Sequence, residues 1–162
     1  MLYKLKILIR NNTLIKRIIR KTDTIFKKDK VLDNQKLIKK YVQNKTFADI
    51  GCLWGINGLN SFIAEESGAI EITSVDVYPA NNEFLEEHRK RNSKIRFIQG
   101  DINFLEVTNK IGLSDVVFCS GVLYHTPDPI HLLMRLRSIT KEILILNTAS
   151  IPDMSGIKNT AV

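Results

Sequence analysis

The chain has 162 residues, of which 44% are apolar and 25% are charged, with 8 glycines and 4 prolines. This apolar fraction can build the core of one soluble domain, and it excludes an intrinsically disordered chain. Glycine and proline are too few for a collagen-like protein, and no apolar run reaches the roughly 18 residues of a membrane-spanning helix. Two cysteines are too few for a disulfide scaffold and predict reduced thiols in a cytoplasmic protein.

The positive charge is concentrated at the N-terminus. Residues 1–30 hold ten basic and two acidic residues, a net charge of +8, whereas the whole chain carries +7. Apolar residues between positions 2 and 20 recur at helical spacing and predict a basic amphipathic helix or two. We therefore divide the chain into a basic helical extension at residues 1–32 and a domain at residues 33–162. The extension is either a solvated face on its own domain or a surface for an anionic membrane or an acidic partner. Its charge is no specific signal for nucleic acid.

Strands and helices alternate along the domain. Apolar runs predict strands at residues 46–50, 70–77, 95–99, 115–119 and 142–148. Helices are predicted after Asp33, at residues 57–67, 81–92 and 103–110, and after Asp128, which would cap the last of them. The helix positions expected to face the core are Leu37, Ile38, Tyr41, Val42, Leu59, Phe62, Ile63, Phe84, Leu85, His88, Ile130, Leu133, Leu136 and Ile139. Five alternations favour the α/β class, with a doubly wound parallel sheet and right-handed crossovers.

The residues at and just after the end of each predicted strand form the candidate site, because ligands of such sheets lie beyond the carboxyl ends of the strands. Glycines there let the backbone approach a ligand closely, and Asp76 ends the second strand in a position suited to ribose hydroxyls. In chain order these residues are Asp49, Gly51, Cys52, Trp54, Gly55, Asp76, Gly100, Asp101, Ile102, Ser120, Gly121, Tyr124 and His125.

Four of these segments together resemble the class I S-adenosylmethionine-dependent methyltransferases. They are Asp49-x-Gly51-Cys52-x-x-Gly55, Val75-Asp76, Gly100-Asp101, and the run from Asp115 to His125. The resemblance covers about residues 33–150. It implies a Rossmann-like sheet of about five parallel strands in the order 3-2-1-4-5, with helices on both faces. It also implies a methyl transfer from S-adenosylmethionine to an acceptor that the motifs do not identify: a small molecule, a glycan, a lipid or an RNA.

The resemblance implies roles for the strand-end residues that would hold the cofactor. The loop from Gly51 through Cys52 to Gly55 would hold the methionine part, and Asp49 would help to position its ammonium group. Asp76 would bind the two ribose hydroxyls.

The third and fourth strand ends would complete the cofactor site. Asp101 would accept a hydrogen bond from the adenine amino group, with Ile102 beside the ring. Ser120 and Gly121 would lie near the methionine moiety.

Tyr124 and His125 would lie near the transferring methyl group and are the candidate catalytic residues. His125 is the candidate base for an acceptor that must lose a proton, because histidine changes charge near neutral pH. The alternative is that His125 only caps the helix after Asp128 and that Tyr124 only lines the pocket. Trp54 would either cover the cofactor or pack on the N-terminal helices.

The loop itself separates a methyltransferase from an NAD-type dinucleotide-binding domain. Gly51 and Gly55 are four residues apart, whereas the dinucleotide motif is G-x-G-x-x-G. Asp49 precedes the loop, and no lysine or arginine lies within it, so the loop suits a cationic amino acid better than a phosphate. The other alternative is a truncated or degenerate module that binds the cofactor without turnover.

The last segment of the chain is short for this family. The family fold continues past its fifth strand with a helix and two strands, and residues 149–162 hold too few residues for them. We therefore expect a C-terminally incomplete domain.

The two cysteines lie at the carboxyl ends of the first and fourth strands, which are neighbours in the order 3-2-1-4-5, so we expect Cys52 and Cys119 to lie near one another as free thiols. Neither has metal-ligand spacing with a histidine, so we expect no metal site.

Overall fold

The computed structural model describes residues 33–149; the predicted basic extension and residues 150–162 lie outside the described residues. The elements, in chain order, are α1 (Asn34–Tyr41), β1 (Thr46–Ile50), α2 (Leu59–Glu66), β2 (Glu71–Asp76), α3 (Asn82–Lys90), β3 (Arg96–Gln99), α4 (Leu105–Ile111), β4 (Ser114–Ser120), a 3₁₀ turn (Leu123–His125), α5 (Pro129–Ile139) and β5 (Thr140–Asn147). Each predicted strand and helix of the described part is present, with ends that differ by a few residues.

The five strands form one parallel sheet in the order β3-β2-β1-β4-β5, which confirms the predicted topology. Ile50 at the end of β1 lies opposite Val75 of β2 and Cys119 of β4. Asp76 at the end of β2 lies opposite Gln99 of β3. The register therefore brings the carboxyl ends of these strands to one edge of the sheet, where the candidate site was predicted.

The core lies on both faces of the sheet, because successive residues of a strand point to opposite sides. Phe47 of β1 packs with residues of α1, α2 and α3, whereas the next residue, Ala48, packs with residues of α4 and α5. Val116 and Val117 of β4 divide in the same way. The chain is thus doubly wound, with helices on both faces as predicted. No helix between residues 33 and 149 is long and apolar enough to cross a membrane.

Three residues predicted to face the core are instead exposed: Leu59, Leu85 and Ile130. Leu59 and Ile130 lie in the first turns of α2 and α5, at the ends of the helices. Leu85 follows Phe84, whose ring already fills the space against the sheet. Helix α5 uses Leu132 where the prediction used Ile130, while Leu136 and Ile139 are buried as expected. The predicted helical period is correct, but the face of each of these helices that was predicted to be buried differs from the observed buried face by part of a turn.

Helix α5 begins as predicted. The side chain of Asp128 accepts a hydrogen bond from the His131 backbone N–H at 2.9 Å, and Pro129 occupies the first turn. A proline is favourable there because its missing N–H has no partner within the helix anyway.

Candidate cofactor site

The loop after β1 lies tightly against the loop after β4. Gly51 has a φ of +80°, and a Cβ built on it would lie 2.5 Å from Val122 Cγ2 and 3.1 Å from the Ser120 carbonyl oxygen. The Gly51 and Cys52 backbone N–H groups both donate to the Val75 carbonyl, at 2.9 and 3.3 Å. Only a residue without a side chain fits this approach. The predicted residues Gly51 and Ser120 are therefore in close proximity.

Asp49 is buried beneath this loop with one carboxylate oxygen unpartnered. Its side chain is 1% exposed, and Oδ2 accepts a 2.6 Å hydrogen bond from the Ser61 hydroxyl. Ser61 Oγ in turn accepts a 2.7 Å hydrogen bond from Ser74. The other oxygen, Oδ1, is buried and accepts no hydrogen bond from any described residue. A buried acceptor without a donor is costly, so this oxygen calls for a donor from a ligand or from water.

The electrostatics of Asp49 suit a cationic donor. Burial raises the pKa of Asp49 to about 7; the Ser61 hydrogen bond opposes this shift, and the charge of Asp76 adds to it. An ammonium group next to Oδ1 would favour the ionised carboxylate and supply the missing hydrogen bond. The amino group of the S-adenosylmethionine methionine moiety is such a donor. The residues present therefore fit this cofactor.

Asp76 holds two loops together at the end of β2. Its Oδ2 accepts from the Leu53 backbone N–H at 2.9 Å, and its Oδ1 accepts from the Tyr78 N–H at 3.0 Å. The carboxylate is 6% exposed. Each carboxylate oxygen has a second lone pair, so Asp76 can still accept from ribose hydroxyls while it keeps both backbone contacts.

The end of β3 supplies Asp101 and Ile102. Asp101 Oδ1 accepts from the Asn103 backbone N–H and side-chain amide, both at 2.9 Å. Among the described residues none donates to Asp101 Oδ2, so this oxygen can accept a hydrogen bond from a ligand. Ile102 is 3% exposed and packs with Val107 in the core between the sheet, α4 and α5. Little of the Ile102 side chain is therefore accessible to a ligand.

The end of β4 brings Gly121, Tyr124 and His125 together. A Cβ built on Gly121 would lie 3.5 Å from the Tyr124 hydroxyl oxygen, and the Tyr124 and His125 ring centroids are 4.2 Å apart. Both rings belong to the 3₁₀ turn and are exposed. The His125 ring makes no recorded hydrogen bond with residues 33–149. The His125 backbone N–H donates a hydrogen bond to the Val122 carbonyl, but the His125 side chain does not cap helix α5.

The two cysteines are buried free thiols. Burial raises the pKa of both, that of Cys119 to about 12, so neither is a nucleophile near neutral pH. Cys52 follows β1 and Cys119 lies near the end of the neighbouring strand β4, as expected, but Cys52 packs in the α1–α3 side of the core and Cys119 in the α4–α5 side. Between residues 33 and 149, no group of three or more His, Cys, Asp and Glu residues could hold a metal ion.

Sequence analysis did not assign a role to Ser61 and Ser74, which orient Asp49, or to Tyr78, which contacts Trp54. The Trp54 and Tyr78 ring centroids are 6.4 Å apart. Ser61 lies within an otherwise apolar helix segment, Ser61-Phe62-Ile63-Ala64, and this polar residue on a buried face was the available signal.

Comparison with known proteins agrees with this geometry. Residues 48–143 match a family model described as a methyltransferase domain, which is more than half of the chain. Over 108 residues the chain is 34% identical to the tRNA U34 carboxymethyltransferase of Campylobacter hominis, an alignment that covers 63% of this chain and 35% of that protein. The chain thus spans about a third of the length of this relative.

Solved structures share the fold. The N-terminal domain of EvdMO1, solved with SAH bound, is 17% identical with a TM-score of 0.58, over 70% of this chain and 49% of that one. TehB of Haemophilus influenzae is 19% identical with a TM-score of 0.54, over 70% of this chain and 38% of that one.

With strand-end loops of this geometry and a match across residues 48–143, the chain belongs to the class I S-adenosylmethionine-dependent methyltransferase family. Membership confirms the predicted family and its cofactor class, and it removes the NAD-type alternative.

Proposed function

We propose that this chain binds S-adenosylmethionine at the carboxyl ends of β1, β2, β3 and β4 and takes part in transfer of its methyl group to an acceptor nucleophile. The observation that carries the proposal is the buried Asp49 Oδ1, which lacks a hydrogen-bond donor beneath the glycine loop after β1. When bound, the cofactor supplies an activated methyl group and leaves as S-adenosylhomocysteine.

The protein's own contribution is to bind and orient. Asp49 takes the ammonium group, and the glycine loop with Cys52, Ser120 and Gly121 encloses the methionine part. Asp76 takes the ribose hydroxyls, and Asp101 with Ile102 takes the adenine.

Tyr124 and His125 lie on the acceptor side of the site. Because both rings are exposed and adjacent, they can contact an acceptor that arrives from solvent. The acceptor's hydroxyl oxygen or amine nitrogen would bond to the methyl carbon as the bond from that carbon to the cofactor's sulfur breaks, and His125 would take the proton that the acceptor loses. Tyr124 would position the acceptor.

The class of methyl acceptor is inferred from a relative and is weighed against the positive charge of residues 1–30. The relative from Campylobacter hominis carries a name that refers to tRNA, which supports RNA as the first acceptor class to test. The net charge of +8 in residues 1–30 is compatible with RNA and equally with an anionic membrane or an acidic partner, so it does not distinguish these acceptor classes. A screen of total RNA, small molecules, glycans and lipids with methyl-labelled cofactor distinguishes these classes.

Calorimetric titration of the chain with S-adenosylhomocysteine tests the proposal. We expect Asp76→Ala to weaken binding by at least about tenfold, because two ribose hydrogen bonds to a charged acceptor are worth roughly 1.5–3 kcal/mol each.

Glu71→Ala is the matched control, since Glu71 is an exposed carboxylate at the opposite end of the same strand. Thermal unfolding of both variants separates lost binding from lost folding. Titration without heat in the unaltered chain, or equal affinity in Asp76→Ala, contradicts the proposal. If the His125→Gln variant binds S-adenosylhomocysteine with the dissociation constant of the unaltered chain but transfers the methyl group more slowly, His125 acts in the acceptor step.

A further inference from the structure

Three polar side chains are buried together on the side of the sheet that helix α2 covers. Asp49 of β1 lies opposite Ser74 of β2 in the register of the two strands, and Ser61 of α2 contacts both. Ser61 and Ser74 are fully buried. The core around them contains apolar residues such as Phe47 and Ile72. Polar groups are costly on such a face unless they are hydrogen-bonded, so this cluster calls for a reason.

The hydrogen bonds of the cluster run in one direction, toward Asp49. The Ser74 hydroxyl donates to Ser61 Oγ at 2.7 Å, and the Ser61 hydroxyl donates to Asp49 Oδ2 at 2.6 Å. A serine hydroxyl has a single proton, so the Ser61 proton is committed to the carboxylate while Ser61 accepts from Ser74. Asp49 Oδ1 accepts no hydrogen bond from any described residue. The two serines therefore hold one carboxylate oxygen and leave the other for a ligand.

The groups that face Asp49 decide whether it is charged. Burial raises the pKa of Asp49 to about 7; the Ser61 hydroxyl opposes this rise, the charge of Asp76 adds to it, and the Ser61 backbone N–H opposes it. Burial also raises the pKa of the Cys52 and Cys119 thiols, and the charge of Asp49 adds to both shifts. Both thiols are therefore neutral near pH 7. Of these groups, Ser61 is the one that favours the ionised carboxylate.

We propose that Ser61, held by Ser74, is a positioning residue that keeps the Asp49 carboxylate oriented and ionised for the ammonium group of the cofactor. The inference rests on the proposed function and adds to it two residues that touch no ligand. An ionised carboxylate attracts an ammonium group far more strongly than a protonated one does. Loss of the Ser61 hydroxyl should therefore weaken ligands that carry the amino acid and spare a ligand that lacks it.

The test compares two ligands that differ in the amino acid moiety. Methylthioadenosine has the adenosine and the sulfur of S-adenosylhomocysteine but only a methyl group in place of the amino acid chain. Each ligand is titrated calorimetrically into the full chain and its variants at about pH 7. We expect Ser61→Ala to weaken S-adenosylhomocysteine binding by about fivefold to tenfold and to leave methylthioadenosine binding unchanged. Ser74→Ala should show the same selectivity with a smaller loss, because Ser61 keeps its contact with Asp49.

The pH profile of binding separates this role from a structural one. Without the Ser61 hydroxyl, Asp49 ionises at a higher pH, so the rise of S-adenosylhomocysteine affinity with pH should shift upward by about one pH unit. Ser61→Cys replaces the hydroxyl by a weak donor without leaving a cavity, so it should shift the profile in the same direction. A structural role would lower the stability to urea without moving this profile.

Ser114→Ala is the matched control, because Ser114 is also a buried serine but begins β4 at the opposite edge of the sheet. It should bind both ligands as the unaltered chain does. If Ser61→Ala weakens both ligands equally or neither, the positioning role is overturned and the proposed function stands. An unshifted pH profile in Ser61→Ala and Ser61→Cys also overturns it. If the unaltered chain does not bind S-adenosylhomocysteine, the proposed function itself is overturned.

Discussion

Two glycines of one loop are present for different physical reasons. Gly51 and Gly55 both have positive φ, +80° and +72°, but a Cβ on Gly51 would collide with Val122 and Ser120, whereas one on Gly55 would meet nothing within 4 Å. Gly51→Ala therefore adds a steric collision to the backbone strain, and Gly55→Ala adds only the strain, about 1–2 kcal/mol. We expect Gly51→Ala to lower the free energy of unfolding more than Gly55→Ala does, measured by urea denaturation. Equal losses would contradict the close approach of the two loops.

The buried carboxylate of Asp49 makes stability depend on pH. Its pKa of about 7 in the folded chain lies above the ordinary value, so the folded state binds the extra proton. The stabilising contribution is complete below about pH 4 and is lost as the pH rises through about 7, at up to about 1.4 kcal/mol per pH unit. We expect Asp49→Asn to lack this dependence. Urea denaturation of both proteins at about pH 5 and pH 8 gives the comparison; parallel pH profiles would contradict it.

Cofactor affinity should follow the opposite trend at the same residue. An ammonium ligand favours the ionised carboxylate, so binding releases a proton from Asp49 when the pH is below about 7. We expect the affinity for S-adenosylhomocysteine to rise between about pH 6 and pH 8, with the rise absent in Asp49→Asn. Calorimetry in buffers of different ionisation enthalpy detects the released proton, and no difference between buffers at about pH 6 would count against this role.

At the scale of elements, a second carboxylate joins three strands at the edge away from the site. Asp115 Oδ2 accepts from the Thr46 N–H and hydroxyl, both at 2.9 Å, and Oδ1 pairs with Lys141 Nζ at 2.8 Å. The hydrogen bond from Lys141, and then those from Thr46, hold the pKa of Asp115 well below its usual range. Strands β1, β4 and β5 are thereby connected at their amino ends.

We expect Asp115→Ala to destabilise the chain by about 1–3 kcal/mol, because it leaves the Thr46 donors without their acceptor. Lys141→Ala should cost much less, since its ammonium group is exposed and screened by water. The contribution of Asp115 is present above about pH 4 and is lost as the pH falls below it, because its folded pKa is lowered. Urea denaturation measures both variants. S-Adenosylhomocysteine affinity should be unchanged in Asp115→Ala, and a loss there would show coupling between the two edges of the sheet.

At the scale of the whole molecule, the charge is divided unevenly between a basic segment and a nearly neutral domain. Residues 1–30 carry +8, and the remainder carries −1. If this segment binds an anionic surface, sedimentation with anionic liposomes should exceed that with neutral ones and should fall as salt is raised toward about 1 M. Removal of residues 1–30 should abolish it. Equal binding to neutral liposomes would contradict an electrostatic contact.

Much of the architecture could be predicted from local patterns. Continuous apolar runs such as the one in β4 marked buried strands, and Asp128-Pro129 marked the start of α5. The strand ends then defined the site, because parallel strands place their carboxyl ends at one edge. The burial of individual side chains was less predictable. Leu85 follows a helical period yet is exposed, because the rotation of α3 is decided by the packing of Phe84 on the distant residues Phe62 and Phe97.

The sequence by itself determined the α/β class and the identity of the strand-end residues, because these depend on short-range periodicity and spacing. The strand order was implied by the resemblance to a family. Only the tertiary structure decided which atoms of those residues are already used. Each carboxylate oxygen of Asp76 already accepts one hydrogen bond, Oδ2 from Leu53 and Oδ1 from Tyr78, whereas Asp49 Oδ1 accepts none from the described residues. Leu53 lies 23 residues before Asp76 in the chain and meets it only when the sheet forms, so no local pattern contains that information.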